Sequence, residues 1–127
     1  MTKNKLMKLY ISDNSGGSVV QVIDPRKRGV NFAGDLAKAS LKKINISHKV
    51  KRKHLYDVLM VTSKRNQLRK NGSSIRADKS YGILLKPNHE EMIGSRILHP
   101  IFSEVTEKWP DIQYNGVAVR FLAKKII

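Results

Sequence analysis

Residues 51–87 read KRKHLYDVLMVTSKRNQLRKNGSSIRADKSYGILLKP, and this stretch decides the fold. Two apolar segments, 55–61 and 81–85, flank a polar excursion crowded with Lys and Arg. Both carry β-branched and aromatic residues and are too brief for a typical globular helix, so both read as strands. Between them Asn71-Gly72 is a dipeptide that tolerates positive φ at both centres of a tight hairpin turn. Lys64, Arg65, Arg69, Lys70, Arg76 and Lys79 sit on its two sides. Such a hairpin fixes a cluster of cations on a sheet. That is a surface for a polyanion, not a catalytic pocket.

Upstream, segments 6–11 and 19–23 read as strands joined through Asp13-Asn14-Ser15-Gly16-Gly17, which gathers turn-formers in one place. As a turn the loop needs no further role. As a contact it would set main-chain N–H groups and small side chains against phosphate or a neighbouring protein. Asp24-Pro25 breaks the strand, and Arg26, Lys27 and Arg28 form a first basic knot. Segment 36–46 is ambiguous between helix and strand, but its alternation of Lys38, Ser40 and Lys42 with Ala37, Ala39 and Leu41 favours a strand. Residues 48–54, HKVKRKH, are the densest cationic segment and lead into the central strand.

Downstream, Asn88-His89-Glu90-Glu91 is the one acidic patch. Ile101, Phe102, Val105 and Trp109 form a helical stripe that Pro110 ends, and this helix is expected to pack across an open end of the sheet with Trp109 in the core. Segment 117–122 reads as a last extended stretch. Five or six short strands followed by one late helix argue for a mainly β chain: a small closed β-barrel with protruding basic loops and a short C-terminal helical segment. No linker divides the 127 residues, so one domain is expected, with its C-terminal helix and tail from about residue 101.

Twenty-five Lys and Arg face ten Asp and Glu, a formal net charge of +15. That imbalance costs self-repulsion and is relieved by a polyanionic partner, nucleic acid before an anionic membrane. Cysteine is absent, so neither disulfides nor thiolate metal sites are available. No apolar run reaches the length of a membrane span, and the N-terminus resembles neither a signal peptide nor an import presequence. Lys outnumbers Arg 17 to 8, and Ile and Asn are abundant, a bias toward A- and T-rich codons that fits an AT-rich genome such as an organelle's own.

Catalysis finds no support. The histidines at 48, 54, 89 and 99 have no metal-binding spacing, and His89-Glu90-Glu91 is an adjacent run whose side chains do not converge on one substrate atom. Phosphate-binding Gly loops and nucleophile elbows are missing as well. No catalytic residue, metal or cofactor is assigned.

Several motifs carry a resemblance. Residues 13–17, DNSGG, resemble the DNSGA signature of the universal large-subunit ribosomal protein L-fourteen family. Residues 71–78, NGSSIRAD, are similar to that family's DGSVIRFD, and residues 93–101, IGSRILHPI, to its IGTRIFGPV. Lys49-Val50-Lys51-Arg52 matches a KVKK segment, and residues 59–65 resemble the VVVRTKK strand end. The motifs come in family order over about residues 7–105, and together they place Asp13, Asn14, Ser15, Gly16, Asn71, Gly72, Gly94 and Pro100 at motif positions. The family pattern AGVGD is shortened to Ala33-Gly34-Asp35, His99 replaces the glycine before the proline, and TREL becomes Phe102-Ser103-Glu104-Val105.

The resemblance implies a five-stranded barrel without enzymatic activity. It implies binding to large-subunit rRNA at the subunit interface and a bridge to small-subunit rRNA. Neighbouring large-subunit proteins and a ribosome-silencing factor are the implied protein partners, with no membrane. The divergence points to a mitochondrial ribosome, with plastid or bacterial cytoplasm as alternatives. The residues expected to meet rRNA are Lys49, Lys51, Arg52, Lys64, Arg65, Arg69, Lys70, Arg76 and Arg96. The main rival is a free single-stranded-RNA-binding barrel of the OB or cold-shock sort, which needs exposed aromatics on one sheet face. In the sequence the aromatics are dispersed, and no stacking platform is evident.

Overall fold

Five strands close on one another in the computed structural model, which describes residues 8–23, 33–44, 54–64, 66–87, 91–114, 116–123 and 125–127. They are β1 (Lys8–Ile11), β2 (Gly17–Val22), β3 (Leu36–Ile44), β4 (Leu55–Met60) and β7 (Tyr81–Leu85), in the order β1-β2-β3-β4-β7. Neighbours are antiparallel except at the closing seam, where β1 runs parallel to β7 with Tyr10 opposite Tyr81 and Ile11 opposite Gly82. The expected closed five-stranded barrel is observed. Segment 36–46, ambiguous on paper, is the longest strand over its described part: Ala39 and Leu41 are buried while Lys38 and Lys42 are exposed. The period of two prevailed because the strand is half-solvated.

The interior holds Leu9, Ile11, Val20, Val22, Ala39, Leu41, Val58, Met60 and Leu84. Gly82 stands where β7 crosses this interior, and a Cβ there would meet Val58 Cγ1 at 2.7 Å. A second core lies on the outside of the barrel. Leu59, Val61, Ile83 and Leu85 point away from the interior and are covered by Met92, Ile97, Ile101, Phe102, Val105, Ile112 and Val119. With both faces buried, β4 and β7 read as nearly continuous apolar runs instead of alternating. Fully burying a Leu, Ile or Phe contributes about 1.5–3 kcal/mol, so this covering is an integral layer.

The covering layer bears on two expectations. Helix α1 (Ser103–Lys108) forms where the stripe predicted it, and its Val105 is buried in the second core. Trp109 is half-buried, and its Nε1–H donates to the Gly34 carbonyl at 2.7 Å, tying the helix end to the turn before β3. Segment 117–122 is not extended throughout. Val117–Ala118 (β9) pairs with Gln113–Tyr114 (β8), and Val119–Leu122 then makes a single helical turn, α2. Burying Val119 in the second core and returning Ala123 alongside Ile97 requires that bend, so packing overrides the β-branched composition. Residues 125–127 run beside Ile101, with Ile101 N–H donating to the Lys125 carbonyl at 3.0 Å and Ile127 N–H to the Ile101 carbonyl at 2.9 Å.

Candidate nucleic-acid interface

Between β4 and β7 the chain leaves the barrel. Residues 66–80 form a separate ribbon, β5 (Gln67–Leu68) paired with β6 (Ser74–Ile75), instead of extending the barrel strands. Hydrogen bonds pin its base. Thr62 Oγ1 donates to the Lys79 carbonyl and accepts from Tyr81 N–H, both at 2.9 Å, while Ser80 Oγ accepts from Lys64 N–H at 3.1 Å. Gly72 N–H donates to the Arg69 carbonyl and Arg69 N–H to the Ser73 carbonyl, so the loop is the three residues Lys70, Asn71 and Gly72. Gly72 is the left-handed residue (φ +87°) that follows the turn, one place later than a two-residue turn centred on Asn71-Gly72 requires.

The expected contact residues divide here. Lys70 and Arg76 are exposed on the ribbon, Lys64 is exposed at its base, and Arg96 is exposed on the loop before Ile97. Arg69 is turned inward: Nη2 donates to Glu104 Oε1 at 3.2 Å and to the Ile127 main-chain oxygen at 2.6 Å, and Nε to Glu104 Oε2 at 3.3 Å. This two-pronged pair, with both side chains about three-quarters buried, braces the ribbon against α1. Lys49, Lys51, Arg52 and Arg65 lie outside the described residues, as do the Arg26-Lys27-Arg28 knot, His89 and Glu90.

Four of the described carboxylates are paired with cations. Glu104 faces Arg69, Glu91 faces Lys86 at 2.9 Å, Asp35 faces Lys108 at 3.9 Å and Asp57 faces Lys38 at 4.0 Å. Arg76 and Asp78 make no ion pair, so Arg76 is not held by its neighbour on the ribbon. Among the described residues, Lys64, Lys70, Arg76, Lys79 and Arg96 have no carboxylate partner.

Arg96 owes its position to a clasp between two distant loops. Asn14 Oδ1 accepts the main-chain N–H groups of Ser95 at 2.7 Å and Arg96 at 3.0 Å, and Asn14 Nδ2 donates to Ser95 Oγ at 2.9 Å. Asp13 is buried; Oδ1 accepts Ser15 N–H and Oγ–H, and Oδ2 accepts Leu84 N–H at 3.0 Å. Gly94 packs against this pair, since a Cβ would stand 3.0 Å from Asn14 Oδ1 and from Asp13 Cβ and Cγ. Gly16 turns the chain at φ +104°. Asp13 and Asn14 thus spend their polar atoms inside the fold instead of on a phosphate. Pro100, exposed, leads from this loop into the covering layer.

The dispersed aromatics were misleading. Tyr10 from β1, Tyr81 from β7 and His99 from the following loop meet on the outside of the parallel seam. The Tyr81 and His99 rings stack with centroids 4.1 Å apart and 17° between planes, and Tyr10 meets Tyr81 edge-on at 6.3 Å. Lys79 Nζ sits 4.7 Å from the Tyr10 ring centroid. Exposed Lys8 and Tyr10 alternate with buried Leu9 and Ile11, which puts the Tyr10 ring on the outside. That Tyr81 and His99 would join it depends on strand order and the loop's return.

No group of His, Asp or Glu suited to a metal ion occurs among the described residues, and none of their helices is long and apolar enough to cross a membrane. A model of the family described as ribosomal protein L14p/L23e matches residues 1–120, reaching well past the last motif legible by eye.

Proposed function

Because this chain belongs to the ribosomal protein L14p/L23e family, structural and non-enzymatic components of the large ribosomal subunit, we propose that it holds large-subunit rRNA by electrostatic clamping. One observation carries the reading: Lys64, Lys70, Arg76, Lys79 and Arg96 face solvent without a carboxylate partner among the described residues, while Glu104, Glu91, Asp35 and Asp57 are each paired with another cation. Such cations displace condensed counterions from RNA phosphates, and the barrel fixes where they stand. Lys49, Lys51, Arg52 and Arg65 belong to the same set by sequence. Arg69 acts by bracing the ribbon that presents Lys70. RNA is then met by shape and phosphate position.

The same reading extends to a single domain spanning residues 1–127. It includes a place near the subunit interface, a bridge to small-subunit rRNA, contacts with neighbouring large-subunit proteins and docking by a ribosome-silencing factor. The composition and the departures from the family pattern favour a mitochondrial ribosome. The free single-stranded-RNA barrel is disfavoured, since a family match over residues 1–120 ties the chain to the large subunit.

The test is sedimentation of tagged protein from organelle lysate after a high-salt wash. Co-migration with large subunits is expected, whereas release to the top of the gradient would overturn the reading, because simple charge attraction fades as salt rises. Arg76→Ala and Arg96→Ala should each weaken retention by about 1 kcal/mol or less, and more than Lys124→Ala does. Equal retention of all three removes those two arginines from the interface.

A further inference from the structure

We propose that the Tyr10–Tyr81–His99 cluster is a stacking platform for one unpaired nucleobase of the bound RNA, with Lys79 taking the adjoining phosphate. This rests on the RNA-binding reading and adds a base contact to what is otherwise a phosphate surface.

The platform is rigid. Tyr81 is stacked with the near-parallel His99 ring and is in edge contact with the Tyr10 ring. His99 is held in turn: its Nδ1 lies 3.1 Å from Ser12 Oγ, and its main-chain N–H donates to the same oxygen at 3.3 Å. Tyr10 N–H donates to the Ser80 carbonyl at 3.1 Å, which fixes the Tyr10 main chain against the approach to β7. A stack whose members are already immobilised loses little further freedom when a base is added.

It is also open. Tyr10 is 42% exposed, and a hydrated Lys79 ammonium rests against its ring, a contact worth little at an exposed site. A base stacked on that ring displaces the ammonium toward the phosphate attached to it. The surroundings favour an anionic ligand with flat rings. Exposed Lys8 shares the outer face of β1 with Tyr10, and exposed Arg96 lies on the same returning loop as His99. Asp78, next to Lys79 in the chain, is the one exposed carboxylate close in sequence to the cluster. An apolar peptide would satisfy the rings but not the cations. RNA satisfies both, since each base offers a π face and brings a phosphate.

The test measures binding of the full chain to a short oligoadenylate and to an abasic oligoribonucleotide with the same number of phosphates. The expected result is about fivefold tighter binding of the oligoadenylate. Tyr10→Leu should abolish this preference, leaving affinity for the abasic strand and its salt slope unchanged, and Tyr10→Phe should keep it. His99→Ala, which removes the ring behind Tyr81, should reduce it. Equal affinity for the two strands in the wild type overturns the platform, as does a preference that survives Tyr10→Leu. Unchanged strand preference with a loss of thermal stability in Tyr10→Leu also overturns it, because the rings then only support the seam. Salt-resistant retention in large subunits separates the two ideas. Retention without a base preference sinks the platform alone, and a base preference without retention sinks the ribosomal reading.

Discussion

Two turns in this chain have the same local chemistry and opposite fates. At Asp13-Asn14-Ser15 the aspartate Oδ1 accepts Ser15 N–H at 3.0 Å and Ser15 Oγ–H at 2.6 Å. At Asn71-Gly72-Ser73 the asparagine Oδ1 accepts Ser73 N–H at 3.0 Å and Ser73 Oγ–H at 2.6 Å. Both are side-chain-capped turns of the kind Asp and Asn make wherever the second residue onward offers a donor. The first is buried, and its other carboxylate oxygen reaches across to Leu84 N–H in β7. The second is fully exposed at the tip of a basic ribbon. The same pair of side-chain hydrogen bonds thus belongs to a tertiary clasp in one place and to an exposed tip in the other. Only what surrounds it distinguishes structural from presenting roles.

Substitutions can break or sharpen that contrast. Asp13→Ala should cost the most, about 3 kcal/mol by urea or thermal unfolding, because it strands the Leu84 and Ser15 N–H groups in the interior without an acceptor. A loss below about 1 kcal/mol would mean the clasp is not what holds the loop. Gly94→Ala should come next, at about 1–2 kcal/mol, since its Cβ presses at 3.0 Å on Asp13 and Asn14. Amide exchange should quicken at Ser95 and Arg96 in that variant, and unaltered protection there would place the strain elsewhere. Asn71→Ala should change stability by no more than about 0.5 kcal/mol, because water replaces its exposed partners. A cost comparable to that of Asp13→Ala would erase the distinction between the turns.

The ribbon and the clasp also differ in how they carry charge. The clasp presents Arg96 through its main chain: Asn14 holds the Arg96 N–H and leaves the side chain exposed. The ribbon presents Lys70 and Arg76 through a side-chain brace, the Arg69–Glu104 pair, which uses one expected contact residue to position the others. Counting basic residues does not separate these uses, since Arg69 and Lys70 are adjacent and alike in charge.

Much of the architecture was legible. The strands at 55–61 and 81–85, the stripe of α1 with its stop at Pro110, and the turn at 13–17 all follow from residue type and spacing. So does the excess of unpaired cations. These are local or global sums: period, turn chemistry and net charge need no knowledge of the fold. What the sequence left open was contact between distant segments. The clasp joins positions 81 and 82 apart in the chain, the Ser12–His99 contact spans 87, and the Arg69–Glu104 brace spans 35. Segment 117–122 likewise reads as extended until Val119 finds a place in the second core.

The sequence by itself therefore determined that this is a small basic β-barrel, with its main strands and its first turn in place. Tertiary structure alone decided which polar groups are spent inside and which face solvent. It also decided that three aromatics scattered from position 10 to position 99 share one seam. The physical reason is that a strand or turn is set by neighbours a few residues away, whereas a hydrogen bond or ring stack requires two groups within a few ångströms. Only the closed order of the strands and the return of the loops bring those groups together.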